Sequence, residues 1–209
     1  MIGMSDVMEH VACLGDGDVL AAIGDPSVDI AIWRRKRWPD VAPLMGSPRK
    51  DVRFVADAGA VACMLPDRLA VAGYPSGAIT DALSEDIADL ACRFAALLSL
   101  DRLEIRLEYI RTNACRKFHA DHVRARLLVT YAGPGTQWLE RSEAARVRAG
   151  DAPRRIEQVD EGDVAILRGW LGSAGHPAFH RSPPIEGTGG RRLLLAVGPP
   201  PEATEGDGA

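Results

Sequence analysis

Apolar positions recur along this chain with two different periods, and the change falls near residue 100. In "TDALSEDIADLACRFAALLSL" (80–100), Leu83, Ile87, Leu90, Phe94 and Leu97 follow one another at alternating steps of four and three. That spacing draws one apolar stripe along a helix. Thr80, Asp81 or Ser84 can cap its start. The stretch "DPSVDIAIWRRKRWPD" (25–40) predicts a second, shorter helix or helical turn, opened by Asp25 or Ser27 and closed by Pro39.

Beyond residue 100 the period becomes two. Leu103, Ile105, Leu107 and Tyr109 alternate with Glu104, Arg106 and Glu108, which predicts a half-buried strand. "RARLLVTY" (124–131) predicts a second strand, stopped by Gly133-Pro134-Gly135. "GDVAILRGW" (162–170), "AFHRSPP" (178–184) and "RRLLLAV" (191–197) predict three more short strands, divided by proline and by the "GTGG" turn. Short strands between Gly/Pro turns suit a sandwich or small barrel. The expected class is α+β: a helical N-terminal half packed on a C-terminal β-roll, one domain over residues 1–198. Within it, 1–100 is mainly helical and 101–198 forms the roll. Residues 199–209, rich in Pro, Gly and acid, are expected to be a disordered tail.

Composition narrows the function classes. The 209 residues are 46% hydrophobic and 26% charged, ordinary for a globular chain. A net charge of −4 supplies no whole-chain field for nucleic acid or anionic membrane. "WRRKRW" (33–38) is basic with flanking aromatics but short, and is expected to be a solvated helix face with Trp33 and Trp38 buried. Four scattered cysteines make neither a zinc knuckle nor a disulfide framework, and imply reduced thiols in a cytoplasmic protein. The start "MIGMSDVMEHVACLG" lacks a basic leader, and no apolar run approaches the ~20 residues of a membrane span.

Candidate chemistry gathers at "RKFHADHVRARLLVTYAGPGTQWL" (116–139). His119 and Asp121 stand two apart, so on an extended chain they share a face and His122 takes the other. A strand bringing His180 beside them completes two imidazoles and one carboxylate. That set occupies one face of an octahedral metal, as in non-haem Fe(II) oxygenases. Read separately, His119 with Asp121 is a surface ion pair. One or both of Arg124 and Arg126 are expected to pair with Glu104 or Glu108 across the sheet. Asn113, Arg116 and Lys117 read as strand-end polar residues. "GPGTQW" lacks the Lys-Ser/Thr of a phosphate loop, and Ser182 has no partners for a hydrolase triad.

The ordered segments "FHAD", "LLVTYAGPGTQW", "EGDVAILRG", "FHRSPP" and "GGRRLLLAV" resemble the Fe(II)/2-oxoglutarate dioxygenase superfamily. "CRKFHADHVRARLLVTYAGPGTQWL" and "HRSPPIEGTGGRRLLL" also resemble an uncharacterised bacterial family known only as a domain of unknown function. The resemblance covers residues 100–198. It implies a double-stranded β-helix of jelly-roll, cupin-like type, with His119, Asp121 and His180 as metal ligands and catalytic centre. It implies Fe(II) and 2-oxoglutarate as cofactors, O2 as co-substrate, and a small-molecule or peptide substrate to be hydroxylated. An arginine about ten residues after the distal histidine would anchor the far carboxylate of 2-oxoglutarate: Arg192 by preference, Arg191 second, since neighbours on a strand face opposite sides. Tyr131, Thr130 and Trp138 are candidates for the pocket wall, Tyr131 as a cofactor contact. The competing expectation is a non-catalytic, cupin-like zinc sensor or carrier using the same three ligands, with His122 or a cysteine as the fourth.

Overall fold

The computed structural model describes residues 10–201. Ten strands form two sheets. The larger has seven strands in the order β1-β2-β8-β5-β10-β4-β3, and the smaller has three in the order β7-β6-β9. Their ranges are β1 Val11–Leu14, β2 Ile30–Trp33, β3 Val52–Asp57, β4 Arg102–Ile110, β5 Ala125–Ala132, β6 Gln137–Trp138, β7 Glu157–Gln158, β8 Val164–Arg168, β9 His180–Arg181 and β10 Arg192–Gly198. The helices are α1 Val61–Val71, α2 Ala78–Leu98 and α3 Arg141–Arg148, with several short 3-10 turns. Among the described residues only the β1–β2 pairing is parallel. β2–β8, β8–β5, β5–β10, β10–β4 and β4–β3 are all antiparallel.

Side-chain alternation on the large sheet sorts the core into two layers. Leu103, Ile105, Leu107, Leu127, Val129, Leu193, Leu195 and Val197 pack in one cluster with Leu83, Ile87, Leu90 and Phe94 of α2. Leu128, Leu194 and Ala196, one step along the same strands, pack in a second cluster with Trp138 of β6 and with Val159 and Ala178 beside the small sheet. The large sheet is therefore a wall with helices on one face and the three-stranded sheet on the other. Both faces are covered, so β10 is buried at every position.

The α2 stripe lies where its period puts it. Leu83, Ile87, Leu90 and Phe94 are buried, and Leu97 packs half-buried at the edge. Its cap differs from expectation: Gly77, at φ 137°, opens the helix without any side-chain hydrogen bond. The positive φ explains the glycine.

The N-terminal half departs further. Residues 30–33, expected in a helix, are β2, and β1 and β3 also join the large sheet. Ile30 and Ile32 face the small-sheet core while Ala31 faces the helical one, so "IAIW" is a strand buried on both sides. A four-residue apolar run carries no period by which to tell it from a helix. The "WRRKRW" stretch is correspondingly not a solvated helix face. Arg35 is buried, bonding both carboxylate oxygens of Asp86 at 2.8 and 2.9 Å. Trp33 and Trp38 are half-buried. At the other end, the tail expected over 199–209 is described only to Pro201. The remainder, like residues 1–9, lies outside the described residues. Among the described residues no helix is long and apolar enough to cross a membrane.

Candidate metal centre

His119 and His180 meet across an antiparallel bridge at the start of β9. The His119 amide donates to the His180 carbonyl at 3.0 Å, and the His180 amide to the His119 carbonyl at 2.8 Å. Two positions after His119, Asp121 falls on the same face of this extended segment. Ligand atoms of His119, Asp121 and His180 all lie within 4.8 Å of one another. Asp121 Oδ1 is 3.5 Å from His119 Nε2 and 4.0 Å from His180 Nε2. The three side chains form a group that could bind a metal ion, and it lies on an extended rather than a helical segment.

Each imidazole is oriented the same way. His119 Nδ1 lies 2.9 Å from the Lys117 carbonyl, and His180 Nδ1 3.0 Å from the Ala178 carbonyl. A carbonyl only accepts, so each Nδ1 carries the proton and each Nε2 presents its lone pair to the group. The environments differ in depth. His180 is buried, which pushes its pKa down and keeps it neutral. His119 is 39% exposed in its side chain, and Asp121 Oδ1 beside its Nε2 favours the protonated ring and raises its pKa.

Asp121 is fixed from behind by Arg126, whose Nε bonds Oδ2. Burial alone would raise the Asp121 pKa, but the His119 hydrogen bond and the Arg126 charge together hold it well below the usual carboxylate range. Arg126 is thus the partner of Asp121, not of Glu104 or Glu108. Those acids are taken by Arg53, at 2.7 Å, and approached by Arg106, at 3.9 Å. The Arg126–Asp121 pair spans the turn into β5, so a sheet-partner search misses it.

Arg192 is fully buried at the start of β10. Its guanidinium bonds only hydroxyls: Ser182 Oγ at 2.7 Å, Thr130 Oγ1 at 3.1 Å and Thr136 Oγ1 at 3.3 Å. Nε has no partner. Burial without a carboxylate pushes its pKa down to about 10. Ser182 and Thr136 also line a narrow cavity of about 60 Å³ that the metal-ligand group lines. Ser182 could have been found from sequence, since it stands two positions after His180 on an extended chain and so shares its face.

Several expected site residues lie elsewhere. Arg191 is exposed and donates to the Met45 carbonyl at 2.5 Å, away from the group. Tyr131 sits on the helix-facing side of β5, where its hydroxyl donates to Asp86 Oδ2 at 2.5 Å, so it makes no contact with the metal group. Its burial and the Asp86 charge hold the phenol protonated. Thr130, one residue earlier, takes the other side. Trp138 is buried in the small-sheet core. Asn113 has a structural job, accepting from the amides of Ile185 and Glu186. His122 is exposed and outside the ligand group.

Fe(II) HppE aligns over 46% of this chain and 42% of its own, at 18% identity and a TM-score of 0.30. The chain therefore spans less than half of that protein's length. The Fe(II)/(alpha)ketoglutarate-dependent dioxygenase TqaL aligns over 90% of this chain and 87% of its own, at 12% identity and a TM-score of 0.43. A Pseudomonas putida prolyl-4-hydroxylase aligns over 86% and 95%, at 11% identity and a TM-score of 0.39. At these scores the likeness decides nothing about chemistry. A search of curated protein sequences finds no match. A family model described as "Protein of unknown function (DUF1826)" matches residues 15–197. With nearly the whole described chain inside that match, this protein belongs to the DUF1826 family.

Proposed function

We propose that this chain is an oxygenase that uses Fe(II) and 2-oxoglutarate to hydroxylate a substrate, on a scaffold of the double-stranded β-helix type. One observation carries the reading. Two imidazoles with Nε2 turned inward and one braced carboxylate share a cavity with Ser182 and Thr136, two of the three residues whose hydroxyls hold Arg192, a buried cation with no acid partner among the described residues. The donor set, two nitrogens and one oxygen, suits Fe(II) with positions left open. When bound, Fe(II) with 2-oxoglutarate activates O2, the keto acid being oxidised to succinate and CO2 while a substrate C–H bond is hydroxylated.

The chain's own residues supply orientation. The Lys117 and Ala178 carbonyls fix the tautomer of His119 and His180. Arg126 occupies Oδ2 of Asp121 and leaves Oδ1 free for the metal. Arg192 is the anchor for the far carboxylate of 2-oxoglutarate, because a rigid planar fork matches a carboxylate and a desolvated one binds it strongly. Some 60 Å³ holds about two waters at ~30 Å³ each, so entry of a five-carbon acid includes parting of the lining side chains.

A zinc carrier needs a fourth ligand to close a tetrahedral site. Among the described residues the group has three, and His122 faces solvent. The test combines metal analysis, anaerobic titration and product assay. Fe(II) with 2-oxoglutarate should give a weak visible charge-transfer band and slow succinate release even without substrate. Tightly held zinc, with no band and no succinate, would replace the oxygenase by the carrier.

A further inference from the structure

A second cavity, about 550 Å³, adjoins the metal group, and both Asp121 and Arg126 line it as well as the narrow one. Its wall is unusually cationic for an acidic chain. Arg53, Arg106, Arg124 and Arg126 face it, against Glu104 and Asp121. Two of the four cations are neutralised, Arg53 by Glu104 at 2.6 Å and Arg126 by Asp121. Among the described residues Arg124 bonds only the Leu98 carbonyl, at 3.4 Å. Arg106 has Glu108 at 3.9 Å, beyond hydrogen-bond reach, and its Nε is buried without a partner. Arg126 Nη1 is likewise buried and unpartnered.

The sheet itself builds this arrangement. Arg106 on β4 and Arg126 on β5 point to the small-sheet side, two strands apart and so roughly 10 Å at the backbone. Between them runs β10, where Ala196 pairs with Arg106 and Gly198 with Glu104. Neither raises a large side chain between the two arginines. A Cβ at Gly198 would sit 2.8 Å from Arg126 Nη1. Buried N–H groups without acceptors are destabilising, more so when charged, and an arriving oxyanion recovers that cost.

We propose that the substrate carries an oxyanion, carboxylate or phosphate, bound by Arg106 and Arg124 in this cavity beside Asp121, with Arg126 Nη1 completing the contact. This rests on the oxygenase reading only for the word substrate; the anion site is a property of the arginines. The test is therefore run on the full chain after chelator treatment, so that metal does not capture the anion. Inorganic phosphate and acetate are titrated by calorimetry into the unmodified chain, Arg106→Gln and Arg124→Gln, with Arg106→Lys as the variant that keeps charge but loses the fork. Thermal unfolding of each variant checks folding. Saturable binding of either anion, weakened tenfold or more by Arg106→Gln and less by Arg106→Lys, supports the site, and the tighter anion names the group. Absence of binding, or equal binding in folded variants, overturns it. Should phosphate bind as expected while Fe(II) and 2-oxoglutarate give no band and no succinate, the anion site stands and the oxygenase reading falls.

Discussion

Replacing Arg192 by Met separates the roles of one cation in the presence and absence of ligand. In the free protein the guanidinium is fully buried and held by three hydroxyls at 2.7, 3.1 and 3.3 Å. Desolvating such a charge costs several kcal/mol. Three charge-assisted hydrogen bonds, at ~1.5 kcal/mol each, offset most of that. The substitution removes both, so ligand-free stability should change by less than about 2 kcal/mol, or under about 8 °C in Tm for a chain this size. Binding of 2-oxoglutarate should respond very differently. Removing one partner of a buried ion pair costs about 3–5 kcal/mol, or two to three and a half decades in Kd. Pyruvate keeps the keto-acid end and lacks the far carboxylate, so its affinity should be equal in both proteins. The assay is calorimetry on Mn(II)-loaded protein with each acid. A Kd for 2-oxoglutarate within threefold of the unmodified chain refutes the anchoring role. An equal loss for pyruvate refutes the assignment of Arg192 to the far carboxylate specifically.

Further outcomes are expected. Asp121→Asn and His180→Ala should each abolish stoichiometric Fe(II) or Mn(II) retention, read by metal analysis after desalting. In the metal-free protein, His119 has a raised pKa, so its pairing with Asp121 stabilises fully below about 6.5 and is lost as pH rises through the folded value; His119→Gln should flatten the Tm profile between pH 6 and 8. Metal retention should run the opposite way, weakening as acid protonates His119. Asp86→Asn leaves the buried Arg35 without its counter-charge, and should cost about 3 kcal/mol and lower Tm by about 6–12 °C while leaving metal retention intact. Gly133→Ala forces a Cβ at φ +89° onto the Arg191 carbonyl, so it should cost more than about 1 kcal/mol and shift the β10 entrance, seen as weaker 2-oxoglutarate binding.

How much of this was legible in the sequence depends on where period and pairing agree. Strand β4 and helix α2 each carry nine or more residues of unbroken pattern, so their faces could be read directly. The grouping of His119, Asp121 and His180 followed from a two-residue spacing plus one cross-strand neighbour. The opposite orientations of Arg191 and Arg192 followed from the same alternation. What failed lacked that redundancy. β2 is four residues long and apolar on both faces. Tyr131 and Thr130 are adjacent, and nothing in the local pattern says which of them looks toward the small sheet. The structure also has a register shift in the β5–β10 pairing at that point, which alternation alone does not foresee. The Arg126–Asp121 contact is made around a turn, where neither helical nor strand spacing applies.

The reciprocal backbone bridge between His119 and His180 has a consequence for the life of the folded chain. The two residues stand 61 positions apart (180 minus 119), and everything from β5 to β8 lies between them. A metal shared by both rings would act as a removable cross-link at a seam already sewn by two amide hydrogen bonds. Closing a segment of that length costs entropy that grows only as the logarithm of its length, and a cross-link withholds that entropy from the opened state. The centre would then double as a latch: chelation would let the 119–180 seam part and expose the intervening turns to proteases, at a rate set by metal release rather than by global unfolding.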